Sequence, residues 1–171
     1  MKQTSSEVSQ RVRQDRKLSE EEKSVFYSHW HYAAIWLWSS VGNGQSLDDV
    51  SSRFQVARER GLEILRFLVE AHLCIFENGV YRMGSQSIHL ERSSVHAPKH
   101  HTNWRLRAIE MSDRIMSEEL MYTAPLSISR ADFAKIRSLL TNVIKEATEK
   151  AIHSEAEDVA CFNVDLFWIK K

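Results

Sequence analysis

The alternation of apolar and polar positions is clearest between Ser46 and Met83, SLDDVSSRFQVARERGLEILRFLVEAHLCIFENGVYRM. Ser46, with Asp49 three residues on, matches a helix-opening capping box. Leu47, Val50 and Phe54 then share one face of a short helix. Beyond a turn at Phe54-Gln55-Val56, the residues Ala57, Gly61, Ile64, Leu65, Leu68 and His72 recur at helical spacing. Arg58, Glu59, Glu63, Arg66 and Glu70 fall mostly on the other faces. Gly61 predicts a close approach of the two helices, at a propensity cost of roughly 1 kcal/mol against Ala. Leu73 to Phe76 is a short apolar run, Asn78-Gly79 is a strong hairpin signal, and Val80 to Met83 is the returning strand. Helix, turn, helix and hairpin in that order predict a winged-helix unit, a module that usually binds DNA and sometimes binds protein.

The flanking pattern adds three further helices and two strands. Residues 1–19 are polar and mixed in charge and read as a disordered or frayed lead-in. Ser19 with three following glutamates opens a helix that runs through Phe26, Trp30, Ala33, Ala34 and Leu37 to Trp38, and Gly42 and Gly44 close it. Its aromatic density makes it a central core helix; the competing reading is an aromatic surface offered to a partner. Residues 85–102 read as a solvated connector, interrupted by Pro98, and Asn103 to Glu119 resumes helical spacing around Trp104, Ala108, Met111 and Ile115. Leu120, Tyr122, Ala124, Leu126 and Ile128 then alternate as in a half-buried strand, with Pro125 placing it near an edge. Ser129 and Asp132 open a long helix to about Ile152, striped by Phe133, Ile136, Leu140, Val143, Ile144, Ala147 and Ala151. Val159 to Ile169 gives a last strand, with Phe162, Val164, Leu166 and Trp168 on one face.

The predicted class is therefore α+β: a winged-helix unit over 20–84, a connector over 85–102, and a helix plus β-α-β unit over 103–171. A β-α-β unit sharing one sheet has parallel strands and a right-handed crossover. Its sheet needs a cover, most simply the 103–119 helix or a second copy of the chain.

Charge changes the functional expectation. The chain has 171 residues, 43% apolar and 27% charged, with 23 basic and 23 acidic side chains and a net charge of 0. A dedicated nucleic-acid binder draws its non-specific affinity from a basic excess. Lys is absent from residues 24–98, so DNA affinity would rest on a local patch of arginine. The residues a groove or partner would meet are Gln55, Arg58, Glu59, Leu62 and Arg66 on the second helix, with Asn78 and Arg82 on the wing. Glu59 and Glu63 would repel phosphate beside the same groove.

Catalytic and metal signals are weak. The sequence has no glycine-rich phosphate loop, no paired carboxylate motif and no cysteine with an evident base, so the expectation is a non-enzyme without cofactor or metal. Four of the eight histidines, His89, His96, His100 and His101, lie in or at the end of the connector but lack a ligand spacing on regular structure. His29 and His31, two apart on a helix, diverge. Cys74 and Cys161 lie in apolar runs and read as buried free thiols in a reducing cytoplasm. No apolar run approaches the ~20 residues of a membrane span, and no signal peptide is evident.

The placed pieces also resemble a bacterial family. Phe26-Tyr-Ser-His-Trp-His-Tyr-Ala-Ala-Ile35, Arg58-Glu-Arg-Gly-Leu-Glu-Ile-Leu65, Thr102-Asn-Trp-Arg105, Arg107-Ala-Ile-Glu-Met111, Leu126-Ser-Ile-Ser-Arg-Ala-Asp132 and Val164-Asp-Leu-Phe167 carry the likeness. They are similar to the C-terminal winged-helix-like domain, catalogued as of unknown function, of two-domain transcriptional-regulator-type proteins of predatory and related bacteria. The resemblance spans roughly residues 20–169. It implies a regulator whose N-terminal helix-turn-helix is absent here, since residues 1–19 are too few to hold one. The expected role is then regulation through protein contact or dimerisation, with DNA binding as the alternative. The family context leaves open a signalling partner such as a small Ras-like polarity GTPase.

Overall fold

The structure is a computed structural model that describes residues 17–169 apart from 87, 89, 91 and 92. Most of the lead-in and His89 therefore lie outside the described residues. Within them the chain is mixed α+β, with six helices and one two-stranded antiparallel sheet.

The first expected helix is broken in two. α1 (Glu20–Phe26) begins at the Ser19 capping box, in which the Glu22 amide donates to Ser19 Oγ and the Ser19 amide to Glu22 Oε2. It stops at Tyr27, and α2 (Trp30–Trp38) starts afresh with His29 as its cap. The His29 Nδ1 accepts from the His31 amide at 3.3 Å. That side-chain bond competes with helix continuation, which is how a polar residue in an aromatic run ends one helix and opens another. Leu18, just before the Ser19 cap, is buried among the core residues.

The central elements form in the expected order, although α4 ends at Glu70, leaving His72 outside it at positive φ, and the first strand begins at Cys74 and not Leu73. α3 (Leu47–Phe54) starts at the Ser46–Asp49 capping box and ends at Gln55, whose φ of 51° reverses the chain. α4 (Arg58–Glu70) buries Gly61, Ile64, Leu65 and Leu68. A Cβ on Gly61 would sit 3.2 Å from both Leu47 Cδ1 and Ser51 Oγ, so the missing side chain is what lets α3 and α4 close together. β1 (Cys74–Glu77) and β2 (Val80–Met83) form the hairpin, with Asn78 and Gly79 both at positive φ. Cys74 pairs with Met83 and Glu77 with Val80. An extra bridge joins Gln45 to Tyr81, so the segment before α3 lies alongside β2.

The core sits between α1, α2, α4 and the hairpin. Ile35, Ile64, Leu65, Leu68 and Leu73 are fully enclosed, with Val50 beside them. At roughly 25 cal/mol per Å² of apolar surface removed from water, each such side chain contributes about 1.5–3 kcal/mol. Two polar links fix α2 on the hairpin: Trp36 Nε1 donates to the Leu73 carbonyl at 3.1 Å, and the Met83 amide donates to the Ser39 carbonyl at 3.1 Å.

The C-terminal third departs from expectation. α5 spans Ala97–Met111, not 103–119, and Pro98 lies in its first turn, where a missing amide hydrogen costs nothing. The six residues from Ala97 to Thr102 thus belong to a helix and not to the connector. α6 (Arg130–His153) matches its predicted range, capped by Ser129. The flanking segments 120–128 and 159–169 take no regular secondary structure and pair with no strand among the described residues, so the β-α-β unit is not formed. The alternation favours an extended backbone, yet a strand also needs a neighbour to take its amides and carbonyls.

Candidate functional site

The seven residues expected to meet a groove or partner fall into three places. Glu59, Leu62 and Arg66 come together on the outward face of α4, where with Val25, Tyr32, Glu63, Phe67 and Glu70 they line a shallow groove against α1 and α2. Gln55 and Arg58 lie at the turn and N-terminus of α4, both exposed. Asn78 and Arg82 lie on the hairpin, exposed at its tip and on its returning strand.

Their charges are largely taken up locally. Arg58 pairs with Asp48 on α3, and Arg60 pairs with Glu63 at 2.7 Å while its guanidinium lies 5.4 Å from the Tyr32 ring centre. Arg82 donates through Nε to the Asn43 carbonyl at 2.8 Å and lies 3.9 Å from Glu77. Among the described residues Arg66 alone of the predicted arginines forms no ion pair. A phosphate approaching this face would have to displace carboxylates that already hold the guanidinium groups. Exposed pairs of this kind are worth 1 kcal/mol at most, but they set the sign of the local field.

A second cluster joins α2 to α5. His31 stacks on His29 at 4.4 Å and lies tilted against Trp30 at 4.0 Å, and Arg107 lies over the Trp30 ring at 4.6 Å. The expected divergence of His29 and His31 fails because His29 caps the helix instead of belonging to it. Burial pushes the His31 imidazole down to about 4, with the adjoining His29, Arg60 and Arg107 acting in the same direction. His96 and His100 both pack on Tyr27, at 5.9 and 5.3 Å between ring centres. No group of three or more His, Cys, Asp or Glu side chains able to hold a metal occurs among the described residues.

The thiols differ from each other. Cys74 is buried beside Ser39 Oγ at 3.3 Å, and desolvation pushes it up to about 11, which makes it inert. Cys161, expected to be buried in a strand, is exposed because that strand has no partner.

The surface that residue chemistry alone did not single out is the C-terminal arm, residues 113–169. None of the 24 residues of α6 is buried. Leu120, Tyr122 and Leu126 before it are 89%, 81% and 58% exposed, and Leu139, Val143, Ile152 and Phe167 are likewise open. The arm is nonetheless held in place. Phe133 stacks on Trp168 at 4.3 Å, Arg53 donates to Asp158 at 2.7 Å, and Arg105 Nε donates to Asp165 at 2.8 Å while its Nη2 donates to the Val164 carbonyl. The signal for this surface was present in the sequence as two alternating segments around an amphipathic helix whose sheet still needed a cover.

A family model described as "Domain of unknown function (DUF4423)" matches residues 9–169. No curated protein and no solved structure matches the chain. No helix among the described residues is long and apolar enough to cross a membrane.

Proposed function

We propose that this chain, which belongs to the family described as Domain of unknown function (DUF4423), is a non-enzymatic regulatory module that works by docking to protein. In this reading residues 20–84 are a winged-helix-like scaffold, with α3 and α4 as the paired helices and the hairpin as the wing. The isolated Gln45–Tyr81 bridge supports that arrangement, because it lays the segment before α3 along the edge of the hairpin. The module would serve a transcriptional regulator of the two-domain type that the sequence resembles.

The observation that carries the docking reading is the exposed apolar surface of the arm. Monomeric proteins rarely leave contiguous apolar patches beyond a few hundred Å² in water, and larger ones mark interaction sites. DNA binding through α4 and the hairpin is the alternative, favoured by the scaffold geometry and the unpaired Arg66. The paired state of Arg58, Arg60 and Arg82 weighs against it.

Titration with random duplex DNA at ~50 and ~200 mM salt separates the two, since a phosphate-driven binder weakens by orders of magnitude over that range. The docking reading expects no binding at the lower salt. Tight binding that collapses at the higher salt would replace it with the DNA reading.

A further inference from the structure

The occupant of the arm is the next question, and surface area bears on it. The chain exposes 13710 Å². A folded monomer of its mass, 19.9 kDa, exposes about 8,700 Å² by the mass scaling of globular proteins. Deducting the most that residues 1–16 could add, about 2,700 Å² as open chain, still leaves roughly 2,300 Å² per chain in excess. Two chains together carry about 4,600 Å², within the range of roughly 2,000–5,000 Å² that obligate homodimer interfaces bury.

The unpaired backbone points the same way. The segments 120–128 and 160–169 form no backbone–backbone hydrogen bond to any described residue, although both carry the alternation of a half-buried strand. Each chain thus offers two strand-ready segments and a helix able to cover them. It lacks only a second set of segments, and a two-fold related copy supplies that set to both chains at once. The α6 stripe is compatible with its own reversal: about a point between Leu140 and Val143, those two residues exchange places, as do Ile136 and Ala147. An antiparallel α6 pair would therefore set apolar against apolar through its middle, from Ile136 to Ala147.

We infer that the arm, residues 113–169, is the dimerisation element: two copies pack α6 against α6, and the segments 120–128 and 159–169 of each chain become strands paired with those of the other. This rests on the docking reading and names its partner as a second copy of the chain. Cross-chain strands would also explain why the arm's polar contacts to its own body, Arg53–Asp158 and Arg105–Asp165, anchor only the return segment. The outward half stays free to reach another molecule.

The test is solution mass by light scattering together with amide hydrogen exchange on the full chain. At about 100 µM, far above the Kd expected of an interface this size, the mass should be twice 19.9 kDa. Amides of 120–128 and 160–169 should then be protected on the order of 100-fold over open chain. Leu139→Glu with Val143→Glu should return the mass to that of one chain, as should Leu126→Asp. Leu126 is 58% exposed in the single chain, so its substitution leaves that chain's own fold intact and keeps the test decisive if the α6 variant does not fold. A single-chain mass with unprotected arm amides overturns the inference. So does a dimer unaffected by Leu126→Asp. Neither result touches the DNA titration, which judges the docking reading separately.

Discussion

Ile64 and Leu68 on α4 are fully enclosed, while Leu139 on α6, set at the same kind of helical spacing, is 64% exposed. The two helices both carry an apolar stripe; α4 follows the reversal at Gln55, and α6 opens at the Ser129 cap. What differs is the cover. α4 is faced by α2, α3 and the hairpin, elements within some 40 residues of it along the chain. α6 meets the return segment where Trp168 stacks on Phe133 and Arg130 lies over the same indole, and none of its residues is buried. An amphipathic stripe states that burial is required and says nothing about which molecule provides it.

That contrast can be broken most forcefully at its two ends. Leu68→Ala should destabilise the chain by about 2–5 kcal/mol in denaturant unfolding, because the body cannot refill the cavity. Leu139→Ala should change the unfolding of a dilute single chain by less than about 0.5 kcal/mol. If the two substitutions cost alike, the arm is part of the same closed core and the comparison fails.

Acid comes next. A histidine held down by burial is neutral in the folded chain and charged in the unfolded chain below its ordinary value. Its contribution is therefore intact above about pH 6.5 and is lost as pH falls towards about 4, the value for His31. His29 and His100 are also pushed down by burial and add in the same direction. All three belong to the body or its junction with α5. Unfolding midpoints should fall between pH 7 and pH 5, and His31→Gln should flatten that slope; an unchanged slope would show that the imidazole is not desolvated.

A matched pair of caps gives a finer comparison. Ser46 and Ser129 each accept from the amide three residues on, at 3.1 and 3.0 Å. Ser46→Ala should lower global stability by ~1 kcal/mol. Ser129→Ala should cost the helix a similar amount, yet it should register as faster amide exchange in the first turn of α6 and leave the body's midpoint where it was. The smallest effect belongs to the latch. Asp165→Asn should cost under about 1 kcal/mol, as exposed pairs do, and raise exchange of the 160–169 amides.

The sequence carried the body well, because its signals are local. Ser46 with Asp49, the glycine at 61 and Asn78-Gly79 each determine geometry within a few residues, so α3, α4 and the hairpin could be read to within a residue or two of their ends. The errors lie where the outcome depends on competition or on a distant partner. His29 could continue a helix or cap one, and only the packed geometry decides. Pro98 could interrupt a helix or open one. Residues 120–128 and 159–169 have strand alternation, but the chain alone does not supply what they would pair with. For the site, the exposure of Gln55, Arg58, Asn78 and Arg82 was legible from spacing. The neutralisation of Arg58 by Asp48 was not, because it depends on how α3 meets α4 in space.

The two free thiols give the arm a chemical readout of its own condition. Cys74 is sealed beside Ser39 and stays unreactive for as long as the body is folded. Cys161 is open to reagent along the return segment. A mild alkylating agent should thus count one accessible sulfur on an isolated folded chain and two on an unfolded one. Any covering of the return segment would reduce the folded count towards none. The protein therefore carries a three-level gauge that distinguishes uncovered, covered and unfolded molecules without an added label.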